Sequence, residues 1–310
     1  MNSLGIVVPM RNEAPHIQRT LCSALHSAAA AGMSCELIVI DNGSTDAGYA
    51  LAQALGARVI SAPGLAVGAL RNLGASQVRA DYLAFLDADI EVPENWISRC
   101  LDSLQNGFDV VALDCDTPKQ APWYAQAWQK RSMSQTGRPR ERDWLATANL
   151  FMRRITFARS GGFHPELSSG EDKDFGLRLH AAGMRQLSLA QPPALHWGYE
   201  TSWREWMNKE LWRQGSYIQL LRQAPGLRLL CFPLLCLLTV LTSLRALLLL
   251  LSARLPEALL MFACSLLPAA VVALRQSARR MEPVYTMKLL VLHWLRLHIG
   301  CLALIRSLFR

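Results

Sequence analysis

No two of the eight cysteines stand in a C-x-x-C pair, and no group of His and Cys has zinc-ligand spacing. The motifs therefore argue against a zinc-built or thiol-redox function. Three cysteines, Cys231, Cys236 and Cys264, lie inside apolar runs, as expected of reduced thiols in a cytoplasmic protein. The opening "MNSLGIVVPMRNEAP" lacks a basic stretch ahead of its apolar run and breaks at Pro9, so it reads as a first strand and not a secretory signal. Acidic residues are scarce in 201–310, where 4 Asp/Glu face 14 Lys/Arg for a net of +10. Residues 1–200 hold 20 Asp/Glu against 18 Lys/Arg, a net of −2, so the overall +8 belongs to the tail. The tail's basic residues flank apolar runs, which suits membrane lipids and argues against nucleic acid as a partner.

The first half alternates short apolar runs with helix-spaced segments. Strands are expected at 4–9, 35–41, 57–62, 81–87 and 108–114, and helices at 16–32, 47–56 and 67–78. Such alternation predicts an α/β fold, with a mostly parallel sheet flanked by helices. Ligands of such sheets bind beyond the carboxyl ends of the strands. Polar residues cluster there: Arg11, Asn12 and Glu13 after the first strand, "DNGSTD" (41–46) after the second, Asp87 and Asp89 after the fourth. Residues 116–142, polar and carrying Pro118, Pro122 and Pro139, read as a surface excursion. "WLATANLFMRR" reads as a further strand, and "EDKDFGLRLHAAG" as a helix stopped by Gly183.

The tail changes character. The stretch 229–251 is long enough to span a bilayer, although Arg245 interrupts it, and 258–274 is at the short limit. Only "SARLPE" separates them, so they are expected to form a transmembrane hairpin. The basic "RQSARR" (275–280) that follows is expected on the cytoplasmic side, which puts the N-terminal domain there too. The last apolar stretch, 289–305, contains His293, Arg296 and His298 and is read as interfacial rather than spanning. Between domain and hairpin, "TSWREWMNKELWRQGSY" puts Trp203, Trp206 and Met207 on one helical face, suited to the headgroup level. The expected domains are thus 1–200, an interfacial helix or linker 201–228, a hairpin 229–274 and a basic interfacial helix 275–310.

"FLDADIEVP" (85–93) places carboxylates at Asp87, Asp89 and Glu91, where an apolar strand meets solvent. In an extended chain Asp87 and Asp89 point to one side. Two carboxylates so placed need a cation or hydrogen-bond donors, and hard oxygen ligands suit Mg2+ or Mn2+. A solvated strand end or helix cap is the plainer alternative for a lone D-x-D.

Five segments in order decide the context. "VVPMRNEA" (7–14), "VIDNGSTD" (39–46), "GALRNLGA" (68–75), "FLDADIEVP" and "GGFHPELSSGEDKDFGLRLHAAG" (161–183) resemble the inverting family 2 glycosyltransferases, of the membrane-anchored bacterial type. The resemblance covers roughly residues 4–200 and implies the GT-A nucleotide-diphospho-sugar transferase fold, here followed by the hairpin. It implies a nucleotide-diphospho-sugar donor, a glycan or lipid-linked acceptor, a divalent cation, and a place at the inner membrane. Pro9, Arg11, Asn12, Glu13 and Asp41 would line the nucleotide pocket, with Asp41 accepting from the base. Arg71 would face the nucleotide or its diphosphate, or else be a solvated helix charge. Asp87 would contact the ribose or assist the metal, and Asp89 would be the principal ligand. His196 would complete the metal site or serve structure alone, and Trp197 would pack. Asp172 is the expected general base, with Glu171 and then Asp174 behind it; Glu171 and Asp172 as a helix N-cap pair is the competing reading.

The Q-x-x-R-W motif of processive synthases is absent, which favours transfer of one sugar. A catalytic domain followed by spans also resembles polyprenyl-phosphate sugar synthases, whose phosphate acceptor needs no general base. A sugar nucleotidyltransferase would need a Gly-rich loop after the first strand, and "VVPMRNEAPH" has no glycine. An inactive nucleotide-sugar-binding protein is opposed by the intact D-x-D and "ED".

Overall fold

The structure, a computed structural model, describes residues 3–214, 227–280 and 282–308. The chain divides into two compact units: one runs to Lys119 and resumes over Ser132–Tyr199, and the other takes Gln120–Arg131 and everything from Glu200 onward. All eight cysteines are free thiols.

The first unit is a sheet with helices on both faces. In chain order its elements are β1 (Ser3–Met10), α1 (Ile17–Ala30), β2 (Ser34–Asp41), α2 (Gly48–Ala54), β3 (Arg58–Ser61), α3 (Val67–Gln77), β4 (Tyr82–Leu86), β5 (Ile90–Glu91), α4 (Trp96–Gln105) and β6 (Val110–Asp116). Then come β7 (Arg140–Glu141), β8 (Asn149–Arg153), α6 (Arg154–Ser160), α7 (Glu171–Ala181) and β9 (Gln186–His196), while α5 (Trp123–Lys130) belongs to the second unit. Strand order is β3-β2-β1-β4-β8-β6-β9-β5, with β7 also on β9.

Burial on both faces explains why the first strands read as continuous apolar runs. Leu4, Ile6, Val8 and Met10 of β1 enter one core layer with Ile17 and Leu21 of α1. Val7 enters the other with Ile38, Ile40, Leu83 and Phe85. The β3-β2-β1-β4 half is parallel, as expected, but β8 runs antiparallel to both β4 and β6, so the sheet is mixed. Strand direction depends on a partner distant in sequence, which local periodicity does not reveal. At the β6–β9 pair the register shifts between Leu113 and Cys115. On the other side of β6, buried Asn149 of β8 continues the pairing with its side chain, bonding the Leu113 amide (2.6 Å) and carbonyl (3.1 Å).

The second unit holds α5, α8 (Trp203–Arg213) and three long helices: α9 (Leu227–Leu251), α10 (Leu255–Ser277) and α11 (Pro283–Leu308). All three are long and apolar enough to cross a membrane, the third over Pro283–Ser307. The stretch 289–305, expected to be interfacial, lies within the third of these helices, which by length and composition is also a candidate span. Its polar residues are accounted for inside the helix bundle: His293 bonds Gln276 (2.9 Å), His298 bonds Ser243 (3.0 Å), and Trp294 donates to Ser265 (3.1 Å). Such ties between helices replace water where none is available. Arg296 is paired too, with Glu210 at 3.3 Å.

Glu210 is 1 % exposed and also accepts from Trp128 Nε1 at 2.8 Å, joining α5, α8 and α11. Trp206 is buried beside Trp128, ring centroids 5.4 Å apart, whereas Trp203, Met207 and Trp212 stay exposed. The apolar face expected of α8 is therefore divided between packing and surface. The excursion 116–142 contains α5, whose Tyr124, Ala125, Ala127 and Trp128 are buried. Of the interfacial linker expected at 201–228, residues 215–226 lie outside the described residues.

Candidate active site

The loops after β1 and β2 are laced together. Asn12, at φ +56°, accepts from the Thr45 amide (2.8 Å) and donates its own amide to Ser44 Oγ (2.9 Å). Both carboxylate oxygens of Asp41, 4 % exposed at the end of β2, take the Ser44 amide (3.3 and 3.2 Å). Pro9 pairs with Ile40 in the strands beneath, Arg11 is exposed, and the Glu13 carbonyl receives the first amides of α1 from His16 and Ile17. Asp41 and Asn12 thus share one cluster. Two further residues of "DNGSTD" brace it: Asp46 accepts from the Ala14 and Gly48 amides (2.8 and 2.9 Å), and Asn42 accepts from Gly64 (2.7 Å). Asx side chains commonly bind nearby backbone in this way, which was a readable but unused signal.

The three carboxylates of "DADIE" go separate ways. The chain turns at 87–90, with the Ile90 amide on the Asp87 carbonyl at 3.1 Å, so the extended geometry that would align Asp87 with Asp89 does not form. Asp87 turns to Arg71 (2.8 Å), whose other nitrogen holds Glu171 (2.7 Å). Arg71 sits with these two and not with the Asp41 cluster. It is 3 % exposed, and although burial disfavours its charge, Asp87 and then Glu171 more than offset this and hold its pKa up. Removing one partner of a buried pair costs about 3–5 kcal/mol. Arg71→Met is therefore expected to lower the melting temperature by roughly 10 °C, as scanning fluorimetry of the detergent-purified protein would show. Arg71→Lys retains charge without the fork and should fall between.

Asp172 stands at the start of α7, whose N-cap is Gly170 in the left-handed region (φ +78°), a conformation open to glycine. Glu171 and Asp172 are thus the first helical residues and not the cap. Asp172 Oδ1 accepts the Lys173 amide (2.7 Å), while Asp174 is engaged by Arg178 (3.0 Å). Burial, then the charge of Glu171, raises the Asp172 pKa to about 7.

Asp89 meets His196, Oδ2 to Nε2 at 3.0 Å, because Ile90 of β5 is registered opposite His196 of β9. The approach needs Gly198: a Cβ there would lie 1.9 Å from Asp89 Oδ2. Among the described residues no three His, Cys, Asp or Glu side chains converge on one metal-sized centre. Two do fit. Neighbouring ligands in an octahedral shell with bonds of about 2.1 Å stand roughly 3.0 Å apart, the spacing of Asp89 and His196. The carboxylate suits Mg2+ or Mn2+, while the softer imidazole is accepted more readily by a transition-row ion such as Mn2+ than by Mg2+, with remaining positions left for phosphate oxygens and water.

Polar loops gather at the carboxyl ends of the strands, with acids on one following turn and on one following helix, the place where open α/β sheets bind their ligands. The chain belongs to glycosyl transferase family 2: the model of that family matches residues 5–161, and that of glycosyl transferase family group 2 matches 84–274. It is similar to glycosyltransferase AglE of Haloferax volcanii, 28 % identical over 58 % of this chain and 62 % of that one. It is also similar to the undecaprenyl-phosphate 4-deoxy-4-formamido-L-arabinose transferase of Pseudomonas paraeruginosa, 29 % identical over 41 % of this chain and 39 % of that one. The matched parts therefore cover less than two thirds of these relatives' lengths. The structure of S. aureus TarS 1–349 superposes with a TM-score of 0.51 at 16 % identity, covering 70 % of this chain and 66 % of TarS, a likeness of fold.

Proposed function

We propose that the protein is an inverting glycosyltransferase that moves one sugar from a nucleotide-diphospho-sugar to a hydroxyl of a glycan or lipid-linked acceptor, at the cytoplasmic face of the inner membrane. The observation that carries this reading is the placement of Asp172 in the first turn of α7, next to Glu171, which Arg71 ties to Asp87 at the end of β4; burial and then the charge of Glu171 raise the Asp172 pKa towards the range of a general base. The acceptor oxygen attacks the anomeric carbon, the bond from that carbon to the diphosphate oxygen breaks, and its electron pair leaves with the nucleoside diphosphate. Asp172 takes the hydroxyl proton. One displacement inverts the anomeric configuration. Asp41 and Asn12 serve the nucleotide, and Arg71 holds Asp87 and Glu171 in place. Asp89 and His196 would hold a divalent cation, whose charge offsets that building on the leaving diphosphate. Purified protein screened against a panel of nucleotide-sugars, with and without acceptor, tests the reading through acceptor-dependent release of nucleoside diphosphate.

A second reading has a specific support. One relative's name specifies undecaprenyl phosphate. A phosphate acceptor attacks without losing a proton, so Asp172 would then matter little.

The topology proposal rests on charge. "RQSARR" overlaps the end of the second candidate span and precedes the third. With the catalytic unit inside, reporters after residue 280 should read cytoplasmic, and those near Arg254 or after Ser307 external. The reverse pattern would overturn the orientation.

A further inference from the structure

The third carboxylate of the run, Glu91, has no part in the chemistry above, yet its surroundings are built. Glu91 Oε2 accepts from Trp197 Nε1 at 2.6 Å. The Arg19 guanidinium lies over the Trp197 ring, 3.8 Å from its centroid, and Arg19 Nε is 3.9 Å from Glu91. Trp197 directly follows His196, and its backbone amide bonds the Asp89 carbonyl at 2.9 Å. The same residue thus ties both members of the Asp89–His196 pair. From behind, α1 fixes the turn: Thr20 Oγ1 donates to the Ala88 carbonyl (2.8 Å), and the Val92 amide donates to Ser23 Oγ (3.1 Å).

We propose that Glu91, Trp197 and Arg19 are positioning residues, a clamp that holds Asp89 and His196 at ligand spacing for a divalent cation. This rests on the reading that those two side chains take the cation. Stability alone does not account for the clamp. The Arg19 and Glu91 side chains are 40 % and 36 % exposed, and ion pairs so exposed contribute little to folding. What the contacts do restrict is the placement of two neighbouring donors. Groups that orient metal ligands typically change metal affinity 10- to 100-fold.

The test is equilibrium Mn2+ binding by the full chain in detergent, with pyrophosphate standing for the part of the donor common to every base. It is read from the EPR signal of free Mn2+, against a protein-free pyrophosphate blank. Asp89→Ala and His196→Ala should lose binding. Trp197→Phe removes the N–H but keeps a ring beneath Arg19, and it should weaken binding about 10-fold with the melting temperature unchanged. Glu91→Ala, on the exposed side, should do the same and serves if Trp197→Phe does not fold. If Asp89→Ala and His196→Ala bind Mn2+ normally, the cation site itself is refuted. If those two fail to bind while the clamp variants keep wild-type affinity, or weaken only in step with lost thermal stability, the clamp is refuted and the site stands.

Discussion

Asp172→Asn is expected to lower turnover by about 100- to 10,000-fold, the usual worth of a general base, while donor affinity stays nearly unchanged. Asparagine keeps the shape and the bond to the Lys173 amide but takes no proton at neutral pH. Because Gly170 is the cap, substitution at 172 does not unmake the helix start. In the wild type, turnover should rise with pH through about 7 as Asp172, whose proton burial and then the charge of Glu171 retain up to that range, becomes deprotonated. Stability should move the other way. Between the unfolded carboxyl's range near 4 and about 7, the folded chain keeps a proton that the unfolded chain has lost, so stability falls as pH rises. Asp172→Asn should remove both slopes. Rate against pH, with acceptor saturating, and thermal melts across the same range read them. Turnover above about a tenth of wild type, against the loss expected of a base, would assign the acceptor as a phosphate or move the base elsewhere.

The second large effect concerns the cation. A metal offsetting charge on a leaving group supplies several kcal/mol, which corresponds to roughly 1,000-fold or more in rate. Chelator should abolish turnover and added Mn2+ or Mg2+ restore it. Asp89→Ala should remove activity in all conditions while leaving circular dichroism unchanged, since Asp89 is a half-buried turn residue outside the apolar core. Turnover undiminished by chelator would remove the cation from the mechanism.

Much of this was legible because it is local. β1, β2 and β4 announce themselves as apolar runs buried on both faces, and "DNGSTD" marks a loop rich in backbone-binding side chains. What was hidden depends on partners far along the chain. Asp87 and Asp89 look like a matched pair until the turn at 87–90 hands one to Arg71 and the other to His196, 107 positions on. β9 is interrupted by Pro192 and Pro193, which weaken any strand signal, yet it supplies His196. Nothing in the sequence distinguishes Gly198 from any loop glycine; its need comes from the Asp89 carboxylate lying against it.

The assignment of α5 to the second unit bears on modular engineering. The backbone passes between units at Lys119/Gln120, at Arg131/Ser132 and at Tyr199/Glu200. A single stop codon at 200 therefore does not yield a clean soluble enzyme. It strands Tyr124 and Trp128, and removes the buried Glu210 that receives the Trp128 N–H. Exposed aromatic surface of that kind favours aggregation. A soluble version should instead delete residues from 200 onward and also replace the buried aromatics of α5 with polar side chains. By the same logic, swapping anchors between relatives calls for exchanging α5 along with the tail.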